Sequence, residues 1–483
     1  MRCSQCGGEV ESGMAHCPWC GAAQSNVAGV EVNISDSAVA GDVNIVQNFE
    51  ADVEEMVGRL VGELQKVDWQ EAGFRVPDSG ITRTDVEPFI TAVRENPLLI
   101  ESMDTDPLLS FGCLLDAMGW PGLNKRIGTI LLSRDEVNSD PERATRGHLI
   151  SARAAMEAME HRGALIHLDK AMTKAIEANS LGLISYCIYL MIRCKGDLGE
   201  DTTDLEIKAS NHLARIGPSE ESACSWAHLA LSLHHSGNRP DLSEHHEVMA
   251  YHLAMNRRDI EARVASLLAS SENRIWRIDN QEWPALRSET ELNGLSHYSF
   301  LLDLAVGVEG SNTGQTRAKL RVMSRECEER GLKELHIMAW LIEFITRIGD
   351  VLSETPHGSA LRQSAIDDII NDSETSKFMD QIIASGYHAL DEIILFQFLR
   401  ILHTGTALPP LAADYLKMTR GSTDLVVSFM LDVHDAMMAG ENPIEVLEHA
   451  IQMHQNSPLR EIDTSHSLLV FLLNYHRAVQ GAA

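Results

Sequence analysis

The sequence predicts a mainly α-helical protein, in which a long array of helices follows a small cysteine-rich module and a short β-like segment. Alanine, leucine, isoleucine, methionine and glutamate are frequent, whereas aromatic residues make up only 5% of the chain. This balance favours helices over sheets. Amphipathic helical patterns recur from residue 147 onward, and four cysteines stand in two close pairs near the N-terminus. At 483 residues the chain has room for more than one domain.

The cysteine-rich module occupies residues 1–24, where the pattern is Cys-x2-Cys, ten residues, and again Cys-x2-Cys. Two intervening residues let a tight turn point both sulfurs at one ion, and four thiolates complete the tetrahedron that zinc accepts. Gly7 and Gly21 directly follow the second cysteine of each pair, which frees backbone N–H groups to face the sulfurs. A disulfide framework would instead need an oxidising compartment, and a redox dithiol would need a single pair in a thioredoxin-like context. The predicted ligands of one structural zinc ion are Cys3, Cys6, Cys17 and Cys20.

The motif CxxCG…CPxCG at the start of the chain resembles the zinc-ribbon domains that begin many prokaryotic multidomain proteins. The resemblance implies zinc; in that broad group some ribbons bind nucleic acid and others bind protein partners. This copy carries Arg2 against Glu9 and Glu11, and it has no lysine. Residues 1–50 hold one arginine against six acidic residues, so we do not expect nucleic acid to be a partner.

Residues 25–50 are predicted to be a short β-like segment or a linker. Val30, Val32 and Ile34 alternate with polar residues, and Val43 and Ile45 do the same after a turn-forming break, which is the period of a half-buried strand. A lone hairpin is marginally stable in water, so such strands would have to pack against another surface.

Residues 51–146 are predicted to be helical. Between residues 51 and 67, apolar residues recur at spacings of 4, 3, 4 and 3, which forms the seam of a candidate oligomerisation helix. Packing against the chain's own helices is the main interpretation of this seam, and homo-oligomerisation through residues 30–67 is the alternative. About four helices are expected between residues 84 and 146 because prolines punctuate that stretch. These prolines are Pro88, Pro97, Pro107 and Pro121.

A helical repeat is predicted over residues 147–373. Three Ala/Leu-rich helices, at 147–163, 222–237 and 295–310, each end in a glycine, and these glycines lie 74 and 73 residues apart. A second helix follows each of them, and a third helix is predicted at Leu181–Arg193 and at Leu332–Ile348. The second helices contain Met172, Met249 and Met323.

A period of about 37 residues per helix pair resembles that of tetratricopeptide-like α-solenoids, whose unit is about 34 residues. A single pair cannot bury its apolar face alone, so neighbouring pairs stack and share a core. The consensus positions of that family are mostly not recoverable here, so the resemblance implies a fold and no binding residues. Residues 374–483 are expected to continue as C-terminal helical repeats or a cap.

The chain shows few signs of catalytic chemistry. It contains no phosphate-binding G-x4-GK[ST] loop, no dinucleotide-binding G-x-G-x-x-G after a strand, and no G-x-S-x-G elbow. Its densest titratable cluster is histidine-rich and extends from His234 to His252. His245 and His252 are seven apart and share a helix face, so weak metal binding is an alternative to ordinary surface histidines. Trp276 and Trp283 are expected either to anchor a partner or to lock a connection between repeats.

These observations predict a non-enzymatic protein-interaction scaffold or adaptor in the cytoplasm. The 70 acidic residues outnumber the 40 basic ones and give a formal charge of −30, which favours basic protein partners over nucleic acid or anionic lipid. The longest apolar stretches, such as Leu468–Leu473, are too short to span a bilayer. The N-terminus begins directly with the cysteine motif, so a signal peptide is not expected. The alternatives are a nucleic-acid-associated regulator that uses the ribbon and an enzyme with an unrecognised site.

The five scattered cysteines are expected to be buried free thiols.

Overall fold

The computed structural model describes residues 83–217, 220–236, 239–257, 260–269, 282–292, 294–307, 313–354 and 441–456, with a few isolated positions elsewhere. Of the described residues 86% are helical and none lies in a strand, so the prediction of a mainly α-helical protein is confirmed. They belong to one compact unit, Gly58–Ala483. The predicted ribbon at 1–24 and the β-like segment at 25–50 lie outside the described residues, as does the candidate oligomerisation helix at 51–67 except for two isolated positions.

The helices are, in chain order, α1 (Arg83–Glu95), α2 (Leu98–Glu101), α3 (Thr105–Met118), α4 (Pro121–Ser133), α5 (Asp135–Ser139), α6 (Pro141–Glu157), α7 (His161–Glu177), α8 (Leu181–Asp197), α9 (Thr203–Leu213), α10 (Glu221–His235), α11 (Pro240–Arg257), α12 (Ile260–Ala269), α13 (Glu282–Leu292), α14 (Ser296–Gly307), α15 (Thr313–Arg330), α16 (Lys333–Glu354) and α17 (Pro443–Gln455). Among these described helices, none is long and apolar enough to cross a membrane.

In the described part of residues 147–373, helices follow one another in the predicted order, but one predicted helix end is wrong. Gly163 does not close α6; it lies inside α7. The turn that ends α6 is formed by Met159, which has a left-handed φ of 60°, and the N–H of Glu160 donates to the carbonyl of Ala155 at 2.7 Å. This hydrogen bond is typical of a Schellman cap, here built without glycine. Helix α6 also runs through the predicted segment boundary at residues 146 and 147.

Six helices, which we call the ring helices, contact one another in a closed cycle. The contacts run from α3 to α6, α8, α10, α12 and α14, and then return from α14 to α3. In an open solenoid each repeat contacts only its neighbours, whereas here helices nearly 200 residues apart meet: Asp116 in α3 and His297 in α14 are separated by 181 residues. The last long helix of this part, α16, packs on both α14 and α6.

A second layer, which we call the outer helices, covers the ring helices. It comprises α4, α7, α9, α11, α13 and α15, and each of these packs on at least one ring helix. Helix α3 buries every residue except Asp106, as expected for a helix surrounded by others. Helix α7 buries only a stripe that includes Ala164, Leu168, Ala171 and Ala175, the three-to-four spacing of an amphipathic helix.

Helices α4 and α6 approach each other closely at Gly128. A Cβ atom at residue 128 would lie 2.1 Å from Ser151 Oγ and 3.3 Å from the Ser151 backbone nitrogen. Ser151 Oγ donates to the Gly147 carbonyl, so turning the hydroxyl away would break a buried hydrogen bond. Glycine is therefore required at residue 128 because any larger side chain would overlap Ser151, and not because of the backbone conformation at this position.

We expect Gly128→Ala to lower the free energy of unfolding by about 1–3 kcal/mol, because the added methyl group overpacks the α4–α6 contact. The matched control is Gly122→Ala in the same helix, where an added Cβ meets nothing within 4 Å. That control should lose no stability and gain up to about 1 kcal/mol from helix propensity. Urea denaturation of both variants checks this, and equal stabilities would contradict the close approach.

Candidate functional site

The four predicted zinc ligands lie outside the described residues, so the zinc ribbon stays a prediction. Within the part of the chain that the structure describes, no group of three or more His, Cys, Asp or Glu side chains could hold a metal ion as it stands. The described residues instead bring together ionisable side chains that no sequence motif connects. They form two buried networks inside the ring and two histidine pairs between the ring and the outer helices.

The first buried network, which we call the Arg153 network, joins four helices. Arg153 in α6 donates through Nε and Nη2 to Asp116 Oδ2 in α3, at 2.9 and 2.7 Å. Its Nη1 lies 3.3 Å from Glu261 Oε1 in α12, and the Tyr186 hydroxyl in α8 donates to that same oxygen at 2.6 Å. All four side chains are buried.

The charges of the Arg153 network depend on one another. Burial alone would lower the pKa of the Arg153 guanidinium, but Asp116 and Glu261 hold this pKa well above its usual value. An isolated buried ion costs several kcal/mol, and a buried pair recovers this cost only with good geometry and further hydrogen bonds. The two hydrogen bonds from Arg153 to Asp116 give the pair good geometry. The Tyr186 hydroxyl supplies a further hydrogen bond to Glu261.

The second buried network, which we call the Glu334 network, links α6, α8, α14 and α16. Arg193 Nη2 donates to Glu334 Oε1 at 2.7 Å, and His297 Nε2 lies 3.3 Å from Glu157 Oε1. His297 Nδ1 lies 3.2 Å from the Asp116 carbonyl oxygen, which can only accept, so Nδ1 carries a proton. His297 therefore connects the two networks.

Asp197 of α8 lies close enough to Glu334, Arg193 and Glu157 to interact with their charges. The carboxyl groups of Asp197, Glu157 and Glu334 are not all ionised at neutral pH. Burial raises the pKa of Asp197 to about 8, with the nearby Glu334 as the next cause. Burial also raises the pKa of Glu157. Burial is the largest cause acting on Glu334 too, but Arg193, His161 and His297 together outweigh it and lower the pKa of Glu334. At neutral pH, Glu334 is thus the carboxylate that pairs with Arg193, and protonation of Asp197 relieves the repulsion between them.

Cys194, His161 and Asp197 have the residue types of a nucleophilic triad, but their geometry differs from one. Cys194 Sγ and Asp197 Oδ2 both approach the same ring nitrogen, His161 Nδ1, at 3.8 and 3.7 Å. A triad needs the nucleophile on one ring nitrogen and the acid on the other. The thiol donates to the His161 carbonyl at 3.1 Å, and burial raises the pKa of Cys194 to about 12. These contacts describe a structural thiol.

The expectation of buried free thiols is confirmed for four of the five scattered cysteines. All five are free, and only Cys224 is partly exposed. Trp283 is buried, which agrees with a role in packing, while Trp276 lies outside the described residues.

We expect Arg153→Met to lower the free energy of unfolding by about 3–5 kcal/mol, because it leaves buried carboxylates without their cation. The matched control is Lys125→Met, which breaks a salt bridge to Glu160 whose side chains are 60% and 50% exposed. That change should cost less than about 1 kcal/mol. Urea denaturation at neutral pH compares the two variants. A loss in Arg153→Met no larger than in the control would show that the network does not stabilise the ring.

Two histidine pairs join ring helices to outer helices at equivalent positions. His148 in α6 faces His167 in α7 with the two Nδ1 atoms 3.3 Å apart, and His228 in α10 faces His246 in α11 with the Nδ1 atoms 2.8 Å apart. His148 and His228 each come seven residues after the first residue of their helix. Their partners each come six residues after the first residue of the next helix.

The equivalence of the two pairs is visible when the repeats are aligned on their helix starts and is hidden when they are aligned on their glycines. Alignment on the glycines places His148 opposite Ser222, whereas alignment on the helix starts places it opposite His228. His245 and His252, which were expected to share a face, are both exposed. Their neighbour His246 is the residue that points inward to His228.

Burial is the main cause that lowers the pKa of His148, His228 and His246 to about 4 in each case. For His148 the further causes are His167, Lys170 and Lys174, and for the other pair they are neighbouring histidines. All three imidazoles are therefore neutral at pH 7.

Comparisons with known proteins found no protein similar to this chain. No protein-family model matches the chain, and neither the curated proteins nor the solved structures contain a match. The resemblances to zinc ribbons and to tetratricopeptide-like arrays therefore stay predictions.

Proposed function

We propose that this protein is a non-enzymatic interaction scaffold that binds protein partners through its outer helices. The observation that carries the proposal is a set of large apolar side chains exposed on five outer helices, from α7 to α15. Their exposed fractions range from 39% for Met249 to 80% for Leu292. The set comprises Ile166, Ile176, Ile207, Val248, Met249, Leu292 and Val322. Single exposed apolar residues are ordinary, but their recurrence on successive outer helices favours a surface that makes contacts.

The interior of the ring supports this placement of the partner surface. A tetratricopeptide-like solenoid would offer its concave face to partners. Here the corresponding helices turn Arg153, Tyr186, Glu261 and His297 toward one another, and these side chains are buried. Partners are therefore expected on the outside, where the exposed apolar side chains suit an amphipathic protein segment. The formal charge of −30 of the whole chain favours a basic one.

The experiment compares variants of a single outer helix. Ile166→Gln/Ile176→Gln removes both exposed isoleucines of α7, and Thr173→Gln, at an exposed position in the same helix, is the control. Proteins that co-purify with the full chain are quantified for each variant, and binding is repeated with the purified partner. We expect the isoleucine variant to lose at least tenfold in affinity and the control to bind normally, because buried apolar anchors dominate interfaces. An unchanged partner set in the isoleucine variant and in the corresponding variants of α11 and α15 would refute the proposal.

We also propose that Cys3, Cys6, Cys17 and Cys20 hold one structural zinc ion, supported by their spacing and by the glycines after each pair. The full chain should contain one zinc ion, and Cys17→Ser should lose it, because three thiolates bind zinc much more weakly than four. Cys224→Ser, which removes the partly exposed free thiol, is the control and should retain the metal. Elemental analysis after dialysis gives the stoichiometry. Zinc retained in both Cys17→Ser and Cys3→Ser would exclude this ligand set.

A further inference from the structure

The His228–His246 pair has the geometry of a metal chelate. We propose that His228 Nδ1 and His246 Nδ1 bind a divalent late first-row metal ion in tetragonal geometry, the class of Cu(II) and Ni(II), at a site separate from the N-terminal cysteines. Solvent would complete the coordination, since the described residues offer no ready-made group of three ligands. Imidazole is a preferred ligand of these ions.

The distance between the two nitrogens, which a hydrogen bond sets in the absence of metal, also fits one class of metal geometry. Imidazole nitrogens bind late first-row ions at about 2.0 Å, so two of them at 90° lie about 2.8 Å apart, and two at a tetrahedral angle lie about 3.3 Å apart. His228 Nδ1 and His246 Nδ1 are 2.8 Å apart, which matches two adjacent positions of a square-planar or octahedral ion. To bind the ion, each ring would turn so that its Nδ1 lone pair faces the metal instead of the other nitrogen.

The surroundings hold the pair in place. On α10, Ser232 lies beside Ser243 and Glu247 of α11: Glu247 Oε1 accepts from Ser243 Oγ at 2.9 Å and from Ser232 Oγ at 3.3 Å. All three of these side chains are buried. Because they fix α11 against α10 next to His246, the two imidazoles are positioned before any metal arrives, which lowers the entropic cost of binding.

The His148–His167 pair provides an internal comparison. Its helix positions are equivalent, but its nitrogens are 3.3 Å apart and three lysines, Lys125, Lys170 and Lys174, act on its rings. Positive charge repels a cation. The His228–His246 pair instead lies near further histidines: the His235 and His245 rings are 6.0 and 5.3 Å from the His246 ring.

The protein does not lose a proton when the metal binds. The contact between the two Nδ1 atoms requires one of them to carry a hydrogen and donate it to the other. When both nitrogens coordinate the metal, that hydrogen moves to Nε2 of its own ring, and both rings remain neutral. The ion displaces only its own water molecules.

The test uses the zinc-loaded full chain and nickel(II) chloride in isothermal titration. His228→Gln and His246→Gln should each weaken the tightest nickel site at least tenfold. The controls are His252→Gln, which is exposed on the same helix, and His167→Gln, in the comparison pair; both should change affinity less than twofold. Circular dichroism and thermal unfolding without metal show whether each variant is folded.

X-ray absorption at the nickel edge provides a readout that does not depend on affinity. Wild-type protein with one equivalent of nickel should show scattering from two or more imidazoles, and the His228→Gln/His246→Gln double variant should show it lost. Nickel bound equally well by the double variant, weakened binding in His167→Gln alone, or a spectrum without imidazole would each overturn the proposal.

Discussion

The arrangement of the ring depends on one buried interaction, the contact of Arg153 with Asp116 and Glu261. The guanidinium comes from α6 and the two carboxylates come from α3 and α12, so a single side chain holds three ring helices. Apolar contacts are non-directional and would tolerate sliding of these helices. Arg153 donates two hydrogen bonds to Asp116 Oδ2, and a planar guanidinium donates to a carboxylate in few orientations. This contact therefore fixes the register of α6 against α3.

The same interaction is the reason that the proposed partner surface lies on the outer helices. Helices that would line an open concave face in a solenoid are drawn together by Arg153 and, beside it, by the contact of Arg193 with Glu334. The interior surface is then filled by side chains of the protein itself. The proposed partner surface is therefore the second layer, in which an amphipathic helix such as α7 buries one stripe and leaves the opposite face in water.

The sequence predicted the helices but not the side-chain contacts in the interior. Periodic apolar residues predicted the helices that contain Met172, Met249 and Met323, because burial of one face leaves a 3.6-residue signature. The turn at Met159 was missed, since a methionine in left-handed conformation has no distinctive pattern in sequence. The Arg153 network was also missed: Asp116 and Arg153 are 37 residues apart, and nothing in a single sequence links them. The histidine pairs became visible only once the helix starts were known.

The histidine pairs lie where the two layers of the molecule meet, and this gives the proposed metal site a mechanical consequence. His246 belongs to α11, which also displays Val248 and Met249 to solvent. A metal ion bound to His228 and His246 would add a bond-like link between α10 and α11 to the hydrogen bonds of Ser232, Ser243 and Glu247. Since α10 is held in the ring, that link would reduce the motion of the backbone that carries the exposed side chains. A partner that docks on α11 would then lose less entropy on binding when the metal is present.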